Sequence, residues 1–217
     1  MVRREFKEFG KIPRLNRQMV ITEKIDGTNG AIVIMPISHI NGITNEDGTV
    51  TLYDHDQRML IKRSGDHLVF AQSRSRYIDT EYDNFGFAEW IHNNADALVD
   101  TLGSGHHFGE WWGHGIQRGY GLSKGDRRFS LFNASRWNEE NTSEVEGLSV
   151  VPVLYEGGTF NTEVVNEAVD QLRLTGSKAA PGFMRPEGVI AFHVAGNLMF
   201  KVTCEKDEEH KWESKGV

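Results

Sequence analysis

Only two stretches of the sequence repeat their apolar residues at helical spacing, and that scarcity commits a chain of 217 residues to a sheet-based fold. The first opens at Asn84 and sets Phe87, Trp90, Ile91, Ala95, Leu98, Val99 and Leu102 on one face, with Gly103 as its stop. The second is capped by Asn161-Thr162 and carries Val164, Val165, Ala168, Val169 and Leu172. The other apolar runs are too short for helices: 20–23, 31–35, 50–53, 107–111, 129–132, 150–155, 188–193 and 198–203. They read as strands. The first two flank a glycine-rich turn, and 50–53 follows the turn sequence 45–48 as a hairpin partner, so the opening third reads as a β-meander. The expected class is α+β, with mostly antiparallel β-sheets and flanking helices. The Gly/Pro region 176–186 reads as a surface loop.

With 38% hydrophobic, 10% aromatic and 25% charged residues, the composition is that of a globular protein. No repeat or linker divides it, so residues 1–217 are expected to form a single domain. The N-terminus is basic but lacks an apolar core, and no apolar run approaches the ~20 residues of a membrane span. A cytoplasmic monomer without membrane contact is expected. A single cysteine, Cys204, excludes an intramolecular disulfide and leaves a Cys-based zinc site short of ligands. The net charge of −7 argues against indiscriminate nucleic-acid binding, yet leaves local basic groups at Lys62-Arg63, Arg74 with Arg76, and Lys124 with Arg127-Arg128.

The segment TEKIDGTNG, residues 22–30, poses the functional question. Asp26, Gly27, Asn29 and Gly30 are turn formers, but the turn has no use for Lys24. A lysine held between strands by such a turn serves as a nucleophile when neighbouring cations lower its pKa, because the free amine attacks and the ammonium does not. The bland alternative is an exposed turn lysine.

Reading onward gives TEKIDGTN, QSRSR (72–76), FGEWWGHGIQRGY (108–120), RRFSLFNA (127–134), RPEGVIAF (185–192) and LMFKVT (198–203). In this order the series resembles motifs I, Ia, III, IIIa, IV and V of the covalent nucleotidyltransferases, the superfamily of ATP-dependent DNA and RNA ligases and mRNA capping enzymes. It is most similar to the RNA ligase 2-like family of phage nick-sealing RNA ligases, over about residues 20–205. The resemblance implies a minimal nucleotidyltransferase domain, the ATP-grasp-like adenylation domain of ligases. Because 16 residues follow Lys201, a domain without a C-terminal OB or helical partner is the expectation.

By that resemblance Lys24 is the catalytic nucleophile that takes AMP from ATP, and Glu23 and Asn29 help bind the nucleotide. Arg74 contacts phosphate or ribose, with Arg76 as the alternative match. Glu110 binds the ribose hydroxyls, Phe132 stacks on the adenine, Glu187 holds the catalytic Mg²⁺ or Mn²⁺, and Lys201 is a catalytic contact to the α-phosphate. The tryptophans are assigned to the core, apart from Trp112, which lies beside Glu110 near the implied pocket. Three positions depart from the family pattern. Thr203 stands where motif V has a second lysine, replaceable only if Lys206 or Lys211 turns back; Asn133 replaces the aspartate after Phe132; and Phe192 lies where some members have a lysine.

The implied activity is an ATP-dependent RNA ligase acting through a lysyl-AMP intermediate on a 5′-phosphate and a 3′-hydroxyl, within a nicked RNA-containing duplex. The rivals are a DNA or hybrid nick ligase, a GTP-using capping guanylyltransferase, and a nucleic-acid-binding protein that has lost the chemistry.

Overall fold

The computed structural model describes residues 6–39, 42–44, 50–52 and 60–205. The strands are β1 (Met19–Lys24), β2 (Thr28–Pro36), β3 (Gly42–Thr44), β4 (Val50–Leu52), β5 (Leu60–Ser64), β6 (His67–Ser73), β7 (Tyr77–Ile78), β8 (Gly105–Gly113), β9 (Arg127–Leu131), β10 (Leu148–Val150), β11 (Val153–Gly157), β12 (Gly188–His193) and β13 (Leu198–Thr203). Three α-helices accompany them: α1 (Phe87–Leu102), α2 (Glu139–Thr142) and α3 (Thr162–Thr175).

These strands form a four-stranded sheet, ordered β11-β1-β12-β13, and a seven-stranded sheet in which β10-β9-β8-β2-β6-β5 run in sequence and β7 pairs with β6. A separate hairpin joins β3 to β4; the turn sequence 45–48 and Tyr53 lie outside the described residues. All pairings are antiparallel except β10 beside β9.

Each sheet buries one face under a helix. On α1, Phe87, Ala88, Ile91, Ala95, Leu98 and Leu102 pack against Ile32, Ile34, Val69, Ala71, Trp111 and Phe129 of the larger sheet. On α3, Val165, Val169 and Leu172 cover Met19, Ile21, Val189 and Ala191 of the smaller one. Each buried Val, Leu, Ile, Phe or Met among them contributes about 1.5–3 kcal/mol by leaving water, and each alanine far less. The first helix ends where the sequence predicts, at Gly103 (φ +66°), and α3 ends at Gly176 (φ +78°); their N–H groups bond to the carbonyls of Val99 and Leu172. Asn161 caps α3 by accepting the Glu163 N–H. The N-terminus of α1 uses Asp83, whose carboxylate accepts the Ala88 and Glu89 N–H groups.

Three expectations need correction. The opening third is not a meander: β1 and β2 belong to different sheets, and β2 pairs with β6 and β8. Lys24 does not sit in a turn. It is the last residue of β1, and the connection shrinks to Ile25–Gly27, because Thr28 and Asn29 already pair with Trp111 and Glu110. The run 150–155 is not one strand but the end of β10 and the start of β11, broken at Val151-Pro152, where a proline lacks the N–H a ladder needs.

Candidate active site

The chain crosses between the sheets at 25–27 and again at 151–152, and the end of β1 just before the first crossing is bonded to the second through the Glu23 N–H and the Pro152 carbonyl at 2.9 Å. Beside them, the faces of the two sheets turned away from α1 and α3 carry the candidate residues. Alternation along β1 sends Glu23 toward α3 and Lys24 the other way. Lys24 pairs in register with Gly188, which brings Glu187 alongside, and Nζ donates to Glu187 Oε2 at 2.5 Å. Both side chains stay partly open to solvent, at 24% and 18%. Lys201 is exposed on the same face, one register row away, because Ile190 pairs with both Thr22 and Lys201.

The larger sheet contributes Glu110, which pairs with Asn29 in β2 and Ser130 in β9. Its Oε1 accepts the Gly27 N–H at 3.1 Å. Gly27 is obligatory there, since a Cβ would lie 2.4 Å from the Trp111 carbonyl oxygen. Burial pushes the Glu110 carboxyl up to about 7; Lys24 and the Gly27 N–H pull it down, while Glu187 and Asp26 raise it further. Glu110 therefore feels three charges from the β1–β2 connection and the Glu187 segment at close range.

Phe132 follows β9 directly, two residues past Ser130, and its N–H bonds to the Phe108 carbonyl. At 40% exposure it is a surface ring, not a core phenylalanine. Arg74 is exposed in the turn after β6, whose Ser73 pairs with Gly30, and it makes no ion pair with any described residue. Arg76 instead bonds the carbonyls of Tyr77 and Tyr82.

Glu23 stands apart from this group. Only 1% exposed, it accepts the Ser177 hydroxyl at 2.6 Å and the N–H groups of Lys178 and Ala179 at 2.7 and 3.0 Å. Its carboxyl is raised by burial, a push these hydrogen bonds oppose. The side chain is thus committed to an internal anchor, and the 176–186 region is no simple surface loop, since Ser177 and Ala180 are buried. Trp112 is also core: its indole N–H donates to Ser130 beneath the site. Arg127 and Arg128 are spent on the carbonyls of His114 and Phe85 and on Asp126.

The departures find local reasons. Asn133 Oδ1 accepts from the Ser135 hydroxyl and the Arg136 N–H, so it nucleates the turn after β9. Thr203 shares the face of Lys24 and donates to the Glu205 carbonyl. Lys206 and Lys211 lie outside the described residues.

Sequence reasoning missed Arg118 and Tyr120. The Arg118 guanidinium reaches Asp26, Glu205 and the Arg185 carbonyl, and the Tyr120 hydroxyl accepts the Asp26 N–H. Both lie inside the GIQRGY string, whose glycines signalled a special backbone but no partner.

Two helix-backed sheets, a lysine at a strand end, two carboxylates, a surface phenylalanine and a second exposed lysine make up an α+β fold with one candidate site. Family comparison matches residues 17–203 to RNA ligase, and the chain belongs to the RNA ligase family. Among solved structures, the chain is similar to the Naegleria gruberi RNA ligase. One mutant, without ligand, gives a TM-score of 0.51 at 16% identity over 90% of this chain and 52% of that one. Another, with AMP and Mn, gives 0.52 at 15% over 91% and 53%. This chain thus spans about half the length of those proteins. No curated protein matches it. No helix among the described residues is long and apolar enough to cross a membrane.

Proposed function

We propose that the chain is an ATP-dependent polynucleotide ligase that seals RNA ends through a lysyl-AMP intermediate. The observation that carries this reading is the placement of Lys24 at the mouth between the sheets, ion-paired with Glu187 and faced by Glu110.

In the first step Lys24 Nζ, after losing a proton, attacks the α-phosphorus of ATP. An N–P bond forms and pyrophosphate leaves. Lys201, exposed on the same face, stabilises charge on the α-phosphate, and Arg74 supplies a planar guanidinium to phosphate oxygens. Phe132 offers its ring to the adenine, Glu110 accepts from the ribose hydroxyls, and Asn29, paired with Glu110, borders the same pocket. Next, a 5′-phosphate oxygen displaces Lys24, moving AMP onto the nucleic acid. A 3′-hydroxyl then attacks that 5′-phosphorus and AMP departs. Each step is dominated by positioning and charge stabilisation.

The donor set fits Mg²⁺ or Mn²⁺ held mainly by nucleotide. No cluster of three His, Cys, Asp or Glu side chains occurs among the described residues, whereas two carboxylates, Glu187 and Glu110, face Lys24, and Mg²⁺ commonly binds through one or two carboxylates plus phosphates; Glu187 is the one assigned to it. When bound, such a cation neutralises phosphate charge and favours the free amine.

The substrate we assign is a nicked RNA-containing duplex with 5′-phosphate and 3′-hydroxyl ends, bound by a monomer. Arg74 supports this reading as an exposed cation beside the mouth. Phosphate contacts make such binding steeply salt-dependent.

The test is incubation with α-labelled ATP or GTP and Mg²⁺, followed by a denaturing gel, beside Lys24→Ala. Label from ATP that is lost in the variant supports the reading. Label from GTP reassigns it to capping chemistry, and no label from either leaves only nucleic-acid binding.

A further inference from the structure

The connection from β8 to β9 is the most backbone-strained segment described. Between residues 113 and 121, Gln117 (φ +45°) and Tyr120 (φ +51°) hold side chains in the left-handed region, interleaved with Gly115, Gly119 and Gly121 at φ +79°, +66° and +69°. Such conformations persist only where their surroundings over-determine them, and they cluster at working sites.

Here the surroundings are Asp26. Tyr120, 2% exposed, accepts the Asp26 N–H at 2.8 Å, and Arg118, lying between the two strained residues, donates Nε to Asp26 Oδ2 at 3.0 Å. The same guanidinium donates Nη1 to the Arg185 carbonyl at 3.1 Å and Nη2 to Glu205 Oε2 at 3.4 Å. Asp26 lies two residues after Lys24, Arg185 two before Glu187, and Glu205 two after Thr203.

We propose that Arg118 is a positioning residue that bolts the 25–27 connection after Lys24, the Glu187 segment and the end of β13 into one frame. This inference rests on the ligase reading for its consequence, but its geometry concerns this chain alone. A guanidinium suits the task because its planar fork presents five N–H donors to separate acceptors, which a lysine ammonium on a flexible stem does not reproduce. The Asp26–Arg118 pair is three-quarters shielded on both sides, so solvent weakens it less than an open surface pair. Arg118 touches neither Lys24 nor Glu187; it fixes the backbone from which both project.

Two readouts on Arg118→Ala and Arg118→Lys decide the matter. The first is AMP labelling of the full chain in a single turnover, at saturating and at graded ATP. About 10²-fold loss at saturating ATP is expected, with half-saturation moving less than about threefold, because mispositioning strikes the chemical step. Arg118→Lys should not restore the rate. The second readout needs no ligase activity: acetic anhydride modification of Lys24, read by peptide mass spectrometry against Lys62. Loosening the frame should speed Lys24 acylation several-fold, leaving Lys62 unchanged. If Arg118→Ala loses its fold, Glu205→Ala severs only the exposed arm and is read the same way, with smaller shifts in the same direction. Unchanged Lys24 acylation overturns the inference, as does a loss confined to half-saturating ATP, which would make Arg118 a nucleotide contact. A wild-type protein that takes no AMP defeats the ligase reading instead, and acylation still decides the bolt.

Discussion

Lys24 donates to Glu187 across 163 residues of sequence, and the 2.5 Å contact joins the end of one strand to the residue just before its neighbour begins. Glu187→Gln keeps the shape and removes the charge. AMP labelling should fall by about 10²–10³-fold, the scale for losing one charge-stabilising group, and its dependence on Mg²⁺ should flatten. A titration of labelling against Mg²⁺ checks this; wild-type rates and metal response in the variant would reject the assigned role.

Glu110 should make stability fall as pH rises. Its folded pKa, about 7, lies above the ordinary carboxylate value of 4.5, so the native state holds this proton more tightly than the unfolded chain. The resulting stability is complete below pH 4.5 and drains away as pH climbs through 7. Glu110→Gln keeps an acceptor for the Gly27 N–H and cannot ionise. It should therefore match the wild type near pH 4.5 and exceed it by roughly 2–3 kcal/mol at pH 8, in urea melts at both pH values.

Truncating Glu23 should cost stability rather than nucleotide affinity. Glu23→Ala strands the Ser177 hydroxyl and two N–H groups in a buried place, a loss of about 2–4 kcal/mol. Denaturant unfolding measures it, with ATP half-saturation as the control. A fully stable variant with weakened ATP binding would return Glu23 to the nucleotide.

Phe132 should behave in the opposite way. Because the ring is already 40% exposed, Phe132→Ala should change unfolding free energy by less than about 1 kcal/mol. Loss of a stacking partner worth about 1–3 kcal/mol per base should raise half-saturating ATP roughly tenfold. Equal half-saturation in both proteins would remove Phe132 from the adenine pocket.

Helix limits were legible because periodicity and capping are local: Gly103, Asn161 and the apolar face of α1 all serve in the structure as the sequence suggests. Strand existence was legible for the same reason, and β12 and β13 keep their predicted bounds. Sheet membership was not. Nothing local reveals that β1 and β2, three residues apart, pair with different partners, because register is decided by long-range ladders. The motif order brought Lys24, Glu110, Phe132, Glu187 and Lys201 to attention. The inward commitment of Glu23 depended on Ser177, 154 residues away, and the reach of Arg118 on three separate segments. Contacts of that kind leave no periodic trace.

The paired crossings at 25–27 and 151–152 give the molecule an axle. Since the Glu23–Pro152 hydrogen bond ties the end of β1, just before the first crossing, to the second, any rotation of one sheet against the other turns about a line beside the end of β1. Breathing of the two layers thus widens the gap at its rim and leaves the nucleophile almost where it was.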